Sequence, residues 1–151
     1  MRLRVSFLLP AALAAAAAQP AFFHAPAGSP WAEILEAAGF LPAASPDDAQ
    51  ILVLENGQAP ADWKTRLDKG AILILEGESA LAAELGIRPS GRRIVARSVE
   101  DLHRPQLRIV WEQPLELPVF ALPEDARVLA RERWERAPLV ASLRRGAGAV
   151  L

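Results

Sequence analysis

Cysteine is absent from the 151 residues. Its absence excludes disulfide bonds, thiolate metal sites and cysteine nucleophiles together. Histidine is scarce: His24 and His103 are the only two, so an imidazole base has to be one of them. Charge of one sign is also lacking. The formal net charge is −1, and without a single-sign patch no nucleic-acid partner is expected. The charge is uneven along the chain. Residues 19–86 carry 3 basic and 10 acidic side chains, and residues 87–151 carry 12 basic and 8 acidic. The two halves of one domain can attract each other, or the second half can meet an anionic partner. The interleaved Glu112, Glu116, Glu132 and Glu135 favour a solvated face instead. A set drawn from His24, Glu55, Glu76 and His103 is chemically sensible for a metal, but no short ligand motif supports it. No metal and no cofactor are expected.

Hydrophobic residues make up 52% of the chain, which excludes disorder, and the length suffices for one domain with a core. Arg2 and Arg4 precede an apolar run over 5–18 that ends in alanines. This is the pattern of a secretory signal peptide, residues 1–18, cleaved near Ala18 or Gln19. The alternative is an uncleaved anchor, which the short run disfavours, because a span needs about 20 apolar residues. Arginine outnumbers lysine and alanine is abundant, as in a GC-rich bacterial gene. The expected location is the periplasm or the exterior, with membrane contact only through the signal sequence. The expected domain is 19–151.

The mature chain is organised around residues 70–87. Residues 71–75 form an apolar run too short for a buried helix and rich in isoleucine, which predicts a strand buried on both faces of a parallel sheet. Gly77 turns the chain. Leu81, Ala82 and Leu85 then recur at helical spacing before Gly86. Before this unit, residues 21–25 predict a first strand and 51–54 another. Ser29 and Pro30 open a helix carrying Trp31, Ile34, Leu35 and Ala38 on one face, and Pro60 and Asp62 open one carrying Trp63 and Leu67. A brief edge strand is expected within 40–46. This order predicts a three-layer α/β/α sandwich of flavodoxin-like type with a mostly parallel sheet.

After Gly86 the pattern becomes strand-rich and punctuated by proline. Short strands are predicted at 92–99, 107–111, 119–122, 127–134 and 139–143. Gly146 and Gly148 mark a hairpin turn. The chain stops in the returning strand, so the sequence is expected to be a fragment lacking the C-terminal part of its domain.

Four segments together resemble a known superfamily: 48–57, the helix ending Leu67-Asp68-Lys69-Gly70, the strand to Glu76-Gly77, and 79–87. With the tail at 137–151, they look like the class I glutamine amidotransferase-like superfamily. The similarity is to its secreted, cysteine-less branch, which includes trehalose-utilisation-like domains and β-galactosidase middle domains. True amidotransferases place their nucleophilic cysteine on the turn occupied here by Gly77-Glu78-Ser79. With no cysteine and no late His-x-Glu pair, glutaminase chemistry is excluded. The resemblance implies a non-catalytic accessory or binding module of a larger, polysaccharide-processing protein. Its partners would be carbohydrate or other domains of the same longer chain.

Ligands of open α/β sheets bind beyond the carboxyl ends of the strands, which makes Glu55, Asn56, Glu76 and Gly77 the ligand-binding candidates. The alternative is a hydrolase. Ser79 is its candidate nucleophile with His24 as base, and Glu55, Glu76 and Glu78 are candidate acid/base carboxylates. Against this, serine is a favoured helix N-cap and glutamates are mostly solvated. Trp31 and Trp63 are read as core. One of Trp111 and Trp134 is a candidate platform for stacking against sugar.

Overall fold

The computed structural model describes residues 21–54, 58–107 and 109–151. The expected signal peptide and the candidates Glu55 and Asn56 lie outside the described residues. Nine strands form one mixed sheet in the order β2-β1-β3-β4-β9-β8-β7-β5-β6. The first four are β1 (Phe22–His24), β2 (Leu41–Pro42), β3 (Ile51–Leu54) and β4 (Ile72–Leu75). With β9 (Gly148–Val150) they form the parallel part. Helix α1 (Pro30–Ala37) lies on one face, where Phe23, Ile51, Val53 and Ile74 pack with Leu35. Helices α2 (Trp63–Asp68) and α3 (Ala80–Glu84) lie on the other, where Leu52, Leu54, Leu73 and Val150 pack with Leu67, Leu81 and Leu85. Residues 51–54 are buried without exception, because their alternating side chains meet a helix layer on both sides. In β4 only Leu73 and Ile74 are buried to that degree; Ile72 and Leu75 are half-buried.

The expected sandwich is overturned by the second half. Of the described residues 45% are strand and 17% helix, and four of the eight strand pairings are antiparallel. β5 (Arg88–Asp101), β6 (Ile109–Ala121), β7 (Arg127–Glu132) and β8 (Pro138–Arg145) extend the sheet by hairpins. The physical reason is local. After Gly86 no segment has a helical period to serve as a crossover, and antiparallel strands need only short turns. Three layers therefore exist only over the parallel part. The antiparallel part has a small cluster of its own, around Ile94, Val119 and Ala137.

β6 also corrects the expectation of two separate strands at 107–111 and 119–122. It is one strand running through Pro114 and Pro118, which is possible because it lies at the edge of the sheet. Between the pairs Ala96–Leu115 and Ser98–Val110 the register shifts, so residues 111–114 bulge out. The strand ending the sequence is not an unprotected edge. β9 follows a tight turn at Gly146, whose φ is +58°, and inserts between β4 and β8.

Candidate functional site

The carboxyl end of β4 opens into a cleft of about 330 Å³ between the parallel and antiparallel parts. Ile74, Leu75, Glu76 and Gly77 form one wall, and Leu139, Val140 and Ala141 of β8 form the other. Leu151 closes one end, and Ala82, Ile87, Phe120 and Leu122 add an apolar side. The lining is mostly apolar, and Glu76 carries its one charged side chain among the described residues. Glu76 continues the side of β4 that carries Ile72 and Ile74, which brings it over the start of α1. There Trp31 Nε1 donates to Glu76 Oε1 at 2.5 Å. Trp31, read as core, is only partly buried and borders this cleft.

The other candidates are not brought together. Ser79 is the N-cap of α3, and its Oγ accepts from the Ala82 N–H at 2.9 Å. Glu78 is exposed on the turn. His24 is level with Leu52, which is level with Leu73. It is therefore two strands away from β4 and three residues short of Glu76, roughly 10 Å in each direction. Among the described residues no hydrogen bond joins His24 to Ser79, and no group of three or more His, Cys, Asp or Glu side chains gathers as a metal site.

Sequence reasoning misread Glu132. The expected solvated face does not include it, because its side chain is 0% exposed. At the end of β7 its Oε2 accepts from the N–H groups of Trp134 and Glu135, at 2.7 and 2.6 Å. The Glu132 N–H donates to Ala137 C=O at 2.8 Å. These bonds close the turn between β7 and β8, with Arg136 in a left-handed conformation at φ +59°. Glu132 Oε1 and the neighbouring Arg133 Nη2 are buried without a partner among the described residues. The turn holds the Trp134 indole outward at 64% exposure. A carboxylate spaced two and three residues ahead of the amides it accepts from is a local signal, but the surrounding Arg-Trp-Glu-Arg run masks it.

Three ion-paired groups frame the rest. The Glu100 carboxyl is held below the usual range, first by a hydrogen bond from Arg131, against burial, and further by the charges of Arg131, Arg136 and Arg133. Asp125 is lowered by its hydrogen bond from Arg145. Arg66 reaches Asp62, Asp47 and the Pro46 carbonyl, which lowers Asp62 and raises Arg66.

No protein-family model matches the chain, and no curated protein matches it. Among solved structures, one similar chain is the cytoplasmic protein STM1381 from Salmonella typhimurium LT2. The TM-score is 0.48 at 14% identity, over 68% of this chain and 58% of that one. Another is the exo-β-1,4-mannosidase Op5Man5 from Opitutaceae bacterium strain TAV5. Its TM-score is 0.49 at 15% identity, over 87% of this chain and 30% of that one. The chain thus spans less than two thirds of either protein, and neither likeness assigns it a family or an activity.

Proposed function

We propose that the chain is a non-catalytic binding module of an exported, polysaccharide-processing protein, and that it contacts carbohydrate through Trp134. The observation that carries this reading is the turn at the end of β7. A fully buried carboxylate pins the backbone of an indole that is itself 64% exposed. An outward aromatic face can cover the apolar C–H face of a sugar ring, and the hydrogen bonds to Glu132 fix the backbone that carries it. The roles of Ser79 and Glu76 support the non-catalytic half of the reading. The first hydroxyl caps a helix and the second carboxylate accepts from an indole. The resemblance to a cysteine-less branch of the amidotransferase-like superfamily implies the same.

The test is affinity electrophoresis in gels holding soluble mannan, xylan or β-glucan. The native chain should be retarded by at least one of them, and Trp134→Ala should migrate as in a blank gel with an unchanged melting temperature. A native chain that none of the three retards overturns the reading. So does a Trp134→Ala chain retarded as strongly as the native one.

A further inference from the structure

Several arginines of the antiparallel part have a carboxylate partner. Arg92 pairs with Glu135, Arg93 with Glu116, Arg131 and Arg136 with Glu100, and Arg145 with Asp125. Two that stand together have none. Arg127 opens β7 and is level with Ser142 of β8. Successive residues of a strand alternate between faces, so Ser142 and Arg144 share a face, and Arg127 shares it with them. Diagonal neighbours of this kind lie about 7–8 Å apart. Arg127 and Arg144 are both exposed, and neither joins an ion pair among the described residues. The sheet is filled on both sides of β8 at this level: Arg144 is level with Ala149 of β9, and Ser142 with Arg127 of β7.

The carboxylates around this pair are committed elsewhere or stand apart. Asp101 Oδ1 accepts from the N–H groups of His103 and Arg104, at 2.8 and 3.2 Å. Asp125 accepts from Arg145, which turns to the opposite face from Arg144. Glu124 is exposed and pairs with neither arginine. The contact that Arg127 does make is neutral. Its Nη2 donates to His103 Nε2 at 2.9 Å. A guanidinium has no lone pair to offer, so Nε2 is the acceptor and the ring proton sits on Nδ1, on the side of Asp101. This bond uses one of the five N–H donors of Arg127 and none of its charge.

We propose that Arg127, Arg144 and the Ser142 hydroxyl form a subsite for an oxyanion, a carboxylate or a sulfate group. The guanidinium fork matches the paired oxygens of either group. An anion held between the two forks neutralises both and removes the repulsion between them, which nothing else on this face offsets. An acidic polysaccharide and a free ion both carry this chemistry. The subsite does not rest on the carbohydrate reading, because Trp134 lies past the far end of β7, and its failure leaves that reading untouched.

The full chain is titrated calorimetrically with polygalacturonate, dextran sulfate, neutral dextran and inorganic sulfate. The buffer is at physiological ionic strength, where exposed charges more than about 8 Å away are largely screened. At least one of the three anions should bind, and neutral dextran should not. Arg127→Gln and Arg144→Gln should each weaken binding about five- to tenfold, between the scales of an exposed ion pair and a charge-assisted hydrogen bond. Both variants should melt no lower than the native chain, because each removes one of two like charges. Arg97 on β5 is exposed and also joins no ion pair among the described residues, and Arg97→Gln should leave the affinity unchanged. Tighter binding of a polymer than of sulfate assigns the subsite to a polysaccharide, and equal binding assigns it to the free ion; either result bears out the subsite. Failure of all three anions to bind overturns the proposal. So does a loss in Arg97→Gln as large as in Arg127→Gln, because the binding would then follow overall charge.

Discussion

Ser79 and Glu132 are polar side chains committed to backbone amides, and they differ in how openly the sequence announces it. Ser79 stands before an apolar helical pattern, so its capping role was readable at once, and its Oγ does accept from Ala82. Ser79→Ala should cost about 0.5–2 kcal/mol in thermal or urea unfolding, the usual loss of a helix cap. The same variant tests the hydrolase alternative. Hydrolysis of nitrophenyl esters by the native chain, abolished in Ser79→Ala at an unchanged melting temperature, would favour a nucleophile over a cap. Glu132 was not readable. In a strand its side chain alternates like any other, and neighbouring arginines suggest solvent. Burial became evident only once β7 was packed against β5 and the turn folded back over the carboxylate. Glu76 and Gly77 stand between these cases. Their place beyond a buried strand was legible, but the opposite wall, 139–141, arrives from the far end of the sequence.

At the scale of elements, what depends on neighbours in sequence was legible and what depends on distant partners was not. Helices α1 and α3, strand β3 and the turn at Gly146 follow from caps, apolar spacing and glycine. Which strand pairs with which depends on contacts across dozens of residues, and β6 shows the effect. Its prolines read as breaks until its place at the sheet edge removed the need for their missing N–H groups. The tie between β5 and β7 gives a measurable pH dependence. Arg131 donates to Glu100 at 2.6 Å and Arg136 at 3.0 Å, and the Glu100 carboxyl titrates below its unfolded value. A lowered folded pKa means that the unfolded chain takes the proton first. The stabilisation is complete above the unfolded pKa and is lost as pH falls through the folded one. The melting temperature of the native chain should exceed that of Glu100→Gln near neutral pH. The gap should narrow below about pH 4.5. A gap that stays constant down to about pH 3 would show that the pair contributes no stability of this kind.

For the whole molecule, the uneven charge makes no direct ion pair between the halves among the described residues. Every ion pair among the described residues joins two side chains before Gly86 or two after it, so the expected attraction between halves is not made through direct pairs. In the sheet the two parts are joined through β9, which pairs with β4 on one side and β8 on the other. Gly148 is where this joint is tightest. A Cβ there would collide with the Ala71 carbonyl oxygen and come within 2.7 Å of the Leu67 carbonyl oxygen. Both are backbone atoms with little freedom to retreat. Gly148→Ala should therefore destabilise by about 1–3 kcal/mol, the range for overpacked cores. A single cooperative transition should move to lower temperature in calorimetry. An unchanged transition would mean that β9 yields without loss.

The position of β9 also carries a cost in time. Ile72 finds its partner Ala149 only about 75 residues later in the chain. At a synthesis rate of about 5–20 residues per second, β4 waits roughly 4–15 s for that neighbour. Through that interval one side of an isoleucine- and leucine-rich strand has no partner from its own chain. A growing polypeptide in that state is a natural client for chaperones, and slower translation after residue 75 would lengthen its exposure.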